Sequence, residues 1–394
     1  MFKRLGLPFL FFLSLTIIIF PSIVFAKKPV GTELRGVWLT NIDSEIFFDR
    51  INLNQALDLL ATLNFNTIYP TVWNGGYTLF PSAVAKRIYG EELDPDLRLQ
   101  KRDILREIID RGKQKKLAVI PWFEFGFMSP AESTLATKYP QWLTKRTDGS
   151  TVWLEGKVHS RVWLNPLHPE VQQFITELIL ELVSDYDLDG IQLDDHFGYP
   201  SDFGYDDYTV ELYQQEHEGK SPPTDYLDRD WIRWRADKIT AYMTELFRLI
   251  KLHNPKAIVS VSPNPQQFSL ESFLLDWQTW ERKGLIEELV LQVYRTNNND
   301  FIKEITQPEV EAARKHIPVA IGILSGLKGR PMPLDTIKKQ VKMTRDRAFA
   351  GVSFFFYESL WNFGSESVSS RQAVLRSFFP TSITRPQVDR HSKK

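Results

Sequence analysis

Between residues 189 and 199 the chain reads Asp-Gly-Ile-Gln-Leu-Asp-Asp-His-Phe-Gly-Tyr, a short apolar run that ends in two carboxylates and a histidine. In an extended strand side chains alternate, so Ile191 and Leu193 take one face while Gln192, Asp194 and His196 take the other. A strand buried on both sides does not spend one of them on Gln, Asp and His unless that face opens onto a cavity. Carboxyl groups in such a place can act as acid, base or nucleophile. While the strand persists, Asp194 and Asp195 point to opposite faces. They are therefore a poor pair unless the strand ends between them, and Asp195 is otherwise a cap for the following loop. Glu124, in LAVIPWFEFGF (residues 117–127), is a better partner for Asp194, because it shares an alternation face with Trp122 on a strand about 4.8 Å away. Glu358 is a second candidate, although an isolated acid at a strand end is more often a cap or a loop ion pair. A metal on Asp194, Asp195 and His196 is disfavoured, since the seven histidines are dispersed and no His-x-x-x-His pair occurs. No metal and no cofactor is expected.

The elements that must hold these residues form a repeating series. Apolar runs of strand length at 33–41, 65–73, 117–127, 191–194, 257–263, 288–295, 318–324 and 351–359 alternate with stretches of helical period. Eight strand-then-helix units predict a parallel sheet with right-handed crossovers, closed into a (β/α)8 TIM barrel. One domain with long βα loops is expected over 27–380. No Gly-x-Gly-x-x-Gly turn follows the first strand, which argues against a dinucleotide site. Residues 128–167 are too long for a passive connection and, with Trp142, Trp153, His159, Trp163 and Asn165, read as a wall of a cleft, while 197–230 read either as a lid or as a structural Ω-type loop. In a TIM barrel the site lies at the C-terminal ends of the strands. There the sequence places Trp38, Tyr69, Trp73, Trp122, Glu124, Asp194, Asp195, His196, Asn264, Gln292, Tyr294 and Glu358. Aromatic rings with amides and carboxylates suit a sugar, whose ring faces are apolar and whose edges are hydroxylated. Barrel packing is an equal explanation for Trp38, Tyr69 and Trp73.

Composition narrows the setting. A formal net charge of -1, with 25% charged residues, gives no global attraction to nucleic acid. Cysteine is absent, so there is no disulfide, thiol nucleophile or cysteine-linked lipid. Lys3 and Arg4, the apolar stretch from Phe9 to Phe20 and Val24-Phe25-Ala26 predict a signal peptide over 1–26, hence a periplasmic or secreted protein that meets the membrane only if that segment is uncleaved. The polar residues 381–394 are expected to be disordered, and the protein to be a monomer.

ELRGVWLTN, FNTIYPTVWNGGYTLFPS, VIPWFEFGFM, WLNPLHPEV, DGIQLDDHFGYP, SPNPQ, LQVYR and SFFFYESLW resemble, in order, the bacterial family called glycosyl hydrolase-like 10. The resemblance runs from about Glu33 to Trp361. It implies a TIM-barrel glycosidase, exported and similar to proteins implicated in cleaving peptidoglycan strands that have lost their peptides. Asp194 and Asp195 fall on the acidic strand-four motif and Glu124 on the strand-three glutamate. Arg35 and Asn165, within matching motifs, join the aromatic and amide residues above as expected substrate contacts. The strand-four segment is also loosely similar to the Asp-Gly-x-Asp-x-Asp-x-Glu strand of substrate-assisted chitinase-like enzymes, with Gln192 and His196 replacing its Asp and Glu. The expectation is a glycoside hydrolase of a bacterial cell-wall or related polysaccharide, with Asp194 as nucleophile or cation stabiliser and Glu124 or Asp195 as general acid. A catalytically inactive carbohydrate-binding barrel is the alternative. A phosphate-handling barrel, from GILSGLKGR at 322–330, is a third.

Overall fold

The structure is a computed structural model and describes residues 31–388; the expected signal peptide lies outside the described residues. Eight inner strands follow one another as expected: β1 (Leu34–Leu39), β2 (Thr67–Pro70), β3 in two pieces (Ala118–Val119 and Trp122–Phe123), β4 (Gly190–Asp194), β5 (Ile258–Ser262), β6 (Glu288–Gln292), β7 (Val319–Leu324) and β8 (Gly351–Phe355). All their pairings are parallel, in the order β3-β2-β1-β8-β7-β6-β5-β4-β3. The ring closes because β3 breaks at Ile120-Pro121. Its first piece pairs with β2 and its second with β4, while Thr71 bridges to Trp122. Proline lacks a ladder donor, so the break falls where the chain can spare one.

Helices α1 (Arg50–Thr62), α2 (Ile104–Lys115), α3 (Pro169–Asp185), α4 (Arg229–His253), α5 (Trp277–Lys283), α6 (Asn298–Ile305), α7 (Leu334–Asp346) and α8 (Val368–Phe378) surround the barrel. Helix α3 shows why they form. His168 caps it, Pro169 occupies its first turn, and Val171, Phe174, Ile175, Leu178 and Leu182 make a buried stripe against the strands. Two connections expected as single helices are broken. Leu274, at φ +59°, separates Gln266–Phe273 from α5, and Pro308 starts a short helix after α6. The long loops carry structure of their own. Met128–Pro130, Trp153–Glu155 and His159–Trp163 form a small antiparallel sheet, and Asp207–Glu216 is a helix inside the second loop.

Two apolar cores result. The larger lies between strands and helices, and the smaller fills the barrel with Leu34, Trp38, Tyr69, Ile120, Trp122, Ile258, Val290 and Ala320. Strand eight ends at Phe355 rather than Ser359, because Tyr357–Trp361 turns into a short helix. The tail expected to be disordered from 381 is ordered as far as the structure describes it. Thr384 bridges to Thr32, Ile383 accepts a hydrogen bond from Asn66, Arg385 pairs with buried Glu288, and Val388 packs on the barrel core. Among the described residues no helix is long and apolar enough to cross a membrane.

Candidate active site

Alternation delivers an inward residue from each of five strands to the C-terminal mouth: Glu124 just beyond β3, Asp194 at the end of β4, Ser262 at the end of β5, Gln292 at the end of β6 and Phe355 at the end of β8. Asp194, Ser262 and Gln292 bind one another. Asp194 is buried, with both oxygens engaged: Oδ1 accepts from Ser262 Oγ at 2.9 Å and Gln292 Nε2 at 2.8 Å, and Oδ2 accepts from His196 Nδ1 at 2.9 Å. It presents no open oxygen to a substrate. Burial and the charge of Asp195 push its carboxyl well above the usual carboxylate range.

Strand β4 stops at Asp194, so it ends between the two aspartates, the condition under which they need not point to opposite faces. Phe197 N–H donates to Asp194 O at 3.1 Å, a tight turn that swings Asp195 back over the mouth. Its Oδ2 accepts from Asn264 Nδ2, and its Oδ1 lies 3.3 Å from His196 Nδ1. With a side chain 17% exposed against 3% for Asp194, Asp195 is the aspartate that a substrate can reach.

His196 links the set. Its Nδ1 also lies 3.0 Å from the Glu124 backbone carbonyl, which can only accept, so Nδ1 carries a proton. Burial opposes a charge on the ring, but Asp195 and Asp194 outweigh it and raise the imidazole to about 10, so the ring is a cation. The ligand atoms of Asp194, Asp195 and His196 lie within 4.8 Å of one another, close enough to suggest a metal. A protonated Nδ1 is not a ligand, however, so only Nε2 of His196 could serve, and Ser262, Gln292 and Asn264 already supply donors to the carboxylates. Gly126 makes the arrangement possible: at φ +50° it lets β3's loop touch the His196 carbonyl, where a Cβ would sit 2.3 Å away.

Glu124 stands on the other side of this cluster. Its Oε2 accepts from Thr40 at 3.2 Å, Thr71 at 2.8 Å and Asn74 at 2.6 Å, and among the described residues Oε1 has no hydrogen-bond partner. Burial raises the carboxyl to about 7, and the Thr71 and Asn74 hydrogen bonds only partly offset this. Because Oε2 is occupied by three donors, the proton of the neutral acid resides on Oε1. The floor is aromatic. Tyr294 stacks on Phe355 with centroids 5.0 Å apart, and Phe355 meets Trp38 and Trp122. Burial, then Asp194, Asp195 and Glu124, drive the Tyr294 hydroxyl far above its usual value, so it stays neutral.

Of the residues expected at the site, the structure brings Glu124, Asp194, Asp195, His196, Asn264, Gln292 and Tyr294 together. Five other expected contacts lie elsewhere. Arg35 is under the barrel, on Glu33 and the Thr381 carbonyl. Tyr69 points down to Glu288, and Trp73 packs outside the barrel on Phe123 and Phe174, its Nε1 on the Gly126 carbonyl. Asn165 braces Asp206 and Thr209, a task internal to the loops. Glu358 rides the short helix after β8, taking hydrogen bonds from Ser44 and Asn362. Trp38 and Trp122 occupy the layer beneath the mouth, with Trp38 Nε1 donating to Gln192 Oε1 at 2.7 Å. Thr40, Thr71, Asn74, Ser262 and Phe355 were missed. Thr40, Thr71, Ser262 and Phe355 were recoverable, since each, on its strand or just beyond it, stands an even number of residues from an inward neighbour.

Matching of the sequence to known families finds the glycosyl hydrolase-like 10 model over residues 33–344. The chain belongs to that family. Among its relatives, glycosyl hydrolase DigH of Escherichia coli strain K12 is 25% identical over 323 residues, 68% of each protein. Glycosyl hydrolase YngK of Bacillus subtilis strain 168 is 23% identical over 259 residues, 60% of this chain and 46% of YngK. The fold is also that of the PgaB (BpsB) glycoside hydrolase domain from Bordetella bronchiseptica, with a TM-score of 0.64 at 12% identity, covering 89% of this chain and 100% of that domain. The catalytic domain of a β-amylase from Paenibacillus polymyxa gives a TM-score of 0.61 at 11% identity, over the same shares. The glycosyl hydrolase-like 10 match begins at the start of β1 and ends within α7, so it takes in every residue of the mouth except Phe355.

Proposed function

We propose that this protein is an exported glycoside hydrolase that cuts a bacterial cell-wall polysaccharide, with peptide-free peptidoglycan strands as its substrate. The observation that carries the reading is Glu124, a buried carboxyl raised to about 7 whose proton sits on the unpartnered Oε1. That is the state a general acid needs to protonate a glycosidic oxygen near neutral pH. Asp195 supplies the opposing carboxylate, in contact with the developing positive charge or with the attacking water. Asp194 stands behind it as a positioning group, holding the His196 imidazolium that in turn fixes Asp195. The stacked Tyr294 and Phe355 offer a flat face to a sugar ring.

The test is mass spectrometry of products from purified peptide-free strands. Wild type should release sugar fragments, and Glu124→Gln should lower the rate by about 10²–10⁴-fold without altering the fold. If folded wild type releases nothing, the enzyme reading is lost and a carbohydrate-binding barrel takes its place.

A further inference from the structure

The catalytic cluster does not end at His196. Trp163, on the wall formed by the first long loop, is fully buried with its ring 5.8 Å from that of His196 and 6.0 Å from Phe273. Phe273 is half-buried. It meets half-buried Trp153 at 6.4 Å and Phe268 at 5.7 Å. Phe268 is 49% exposed, and it is the sole phenylalanine among the exposed large hydrophobic residues described. A single exposed ring would mean nothing. Here, however, the rings form one continuous row, from His196 at the mouth to the surface.

Two separate elements build the row, and both are tied to the site. Phe268 and Phe273 lie on Gln266–Phe273, the helix that starts just after Asn264, whose side chain holds Asp195. Trp153 and Trp163 come from the antiparallel sheet of the first long loop. Gly198 lets the β4 loop lie flat against this helix: a Cβ there would meet the Phe273 carbonyl at 2.1 Å, and Tyr199 N–H donates to that carbonyl at 2.9 Å. Gln267 and Glu271, exposed beside Phe268, border the ring with groups that bind hydroxyls.

Building on the proposed function, we infer that Phe268, Phe273 and Trp153 form an outer subsite that holds further sugar units of the strand whose bond is cut at Glu124 and Asp195. Each step along the row is close to the length of one pyranose unit. Stacking on flat apolar faces tolerates different substituents, so this subsite reads chain length more than sugar identity.

The experiment compares kcat/KM on peptide-free peptidoglycan strands fractionated by length. In wild type the ratio for long over shortest cleaved strands should exceed one. It should fall about fivefold to tenfold in Phe268→Ala and in Trp153→Ala, the range of a single stacking contact. Phe268→Trp should restore it, and Leu252→Ala, at an exposed apolar position on α4, should leave it unchanged. Phe268 is exposed, so its loss does not threaten folding. An unaltered ratio in folded Phe268→Ala overturns the subsite and leaves the hydrolase intact. If wild type cleaves no strand, the hydrolase reading fails instead. Titration with long strands then decides the subsite: weaker binding by Phe268→Ala supports it, and equal binding overturns it.

Discussion

Asp194 and Asp195 are chemically identical and adjacent, yet their surroundings give them different work. Asp194 is sealed in among Ser262, Gln292 and His196 with a side chain 3% exposed, whereas Asp195, held by Asn264 and His196, is 17% exposed. Asp195→Asn should therefore cost most of kcat, about 10²–10⁴-fold, with KM little changed. Asp194→Asn should cost less and should chiefly displace the pH profile, because it removes one of two carboxylates that hold His196 charged. Steady-state kinetics from pH 5 to 9 would decide; equal losses with unshifted profiles would mean that Asp194 itself touches the reacting atoms. Wild-type activity should decline as pH rises past about 7, where Glu124 releases the proton it must donate.

The strands show how far alternation carries and where it stops. It predicts the inward set of Glu124, Asp194 and Gln292 because each lies on, or one residue beyond, a regular strand. It fails at Asp195 and Glu358, since a strand's last residue is set by the turn that follows, and that turn depends on partners distant in the chain. Asn264 is such a partner for Asp195, and Ser44 for Glu358. It fails again under the barrel, where polar residues after Pro380 look dispensable but provide the only guanidinium placed on Glu288 among the described ion pairs. Glu288 is 1% exposed and also accepts from Tyr69 and Ser260 at 3.0 Å each. Arg385→Met would leave that carboxylate unpaired, at a cost of about 3–5 kcal/mol in denaturant unfolding. Combining it with Glu288→Gln should recover part of the loss. A single variant as stable as wild type would show the tail to be ornamental.

For the molecule as a whole, the site is a burden on stability that grows with pH. Glu124 is raised from 4.5 to about 7, so across that window the folded state holds a proton that the unfolded chain releases, and stability falls as pH rises. Asp194, also raised, acts in the same direction. His196, raised from 6.5 to about 10, stabilises fully below 6.5 and loses that contribution as pH climbs toward 10. Glu124→Gln should therefore raise the thermal midpoint at pH 8 by more than at pH 5. Equal shifts at the two pH values, measured by calorimetry, would contradict a raised Glu124.

The pairing of β1 with β8 has a consequence in time. Leu34 aligns with Gly351, and Glu33 is clamped by Arg345 through two hydrogen bonds at 2.7 and 3.0 Å. At about 5–20 residues per second, the ribosome needs tens of seconds between making the first strand and making its neighbour. Throughout that interval one edge of the nascent sheet has no mate, and the barrel cannot close. A chain wired in this way completes its barrel only when synthesis is nearly finished.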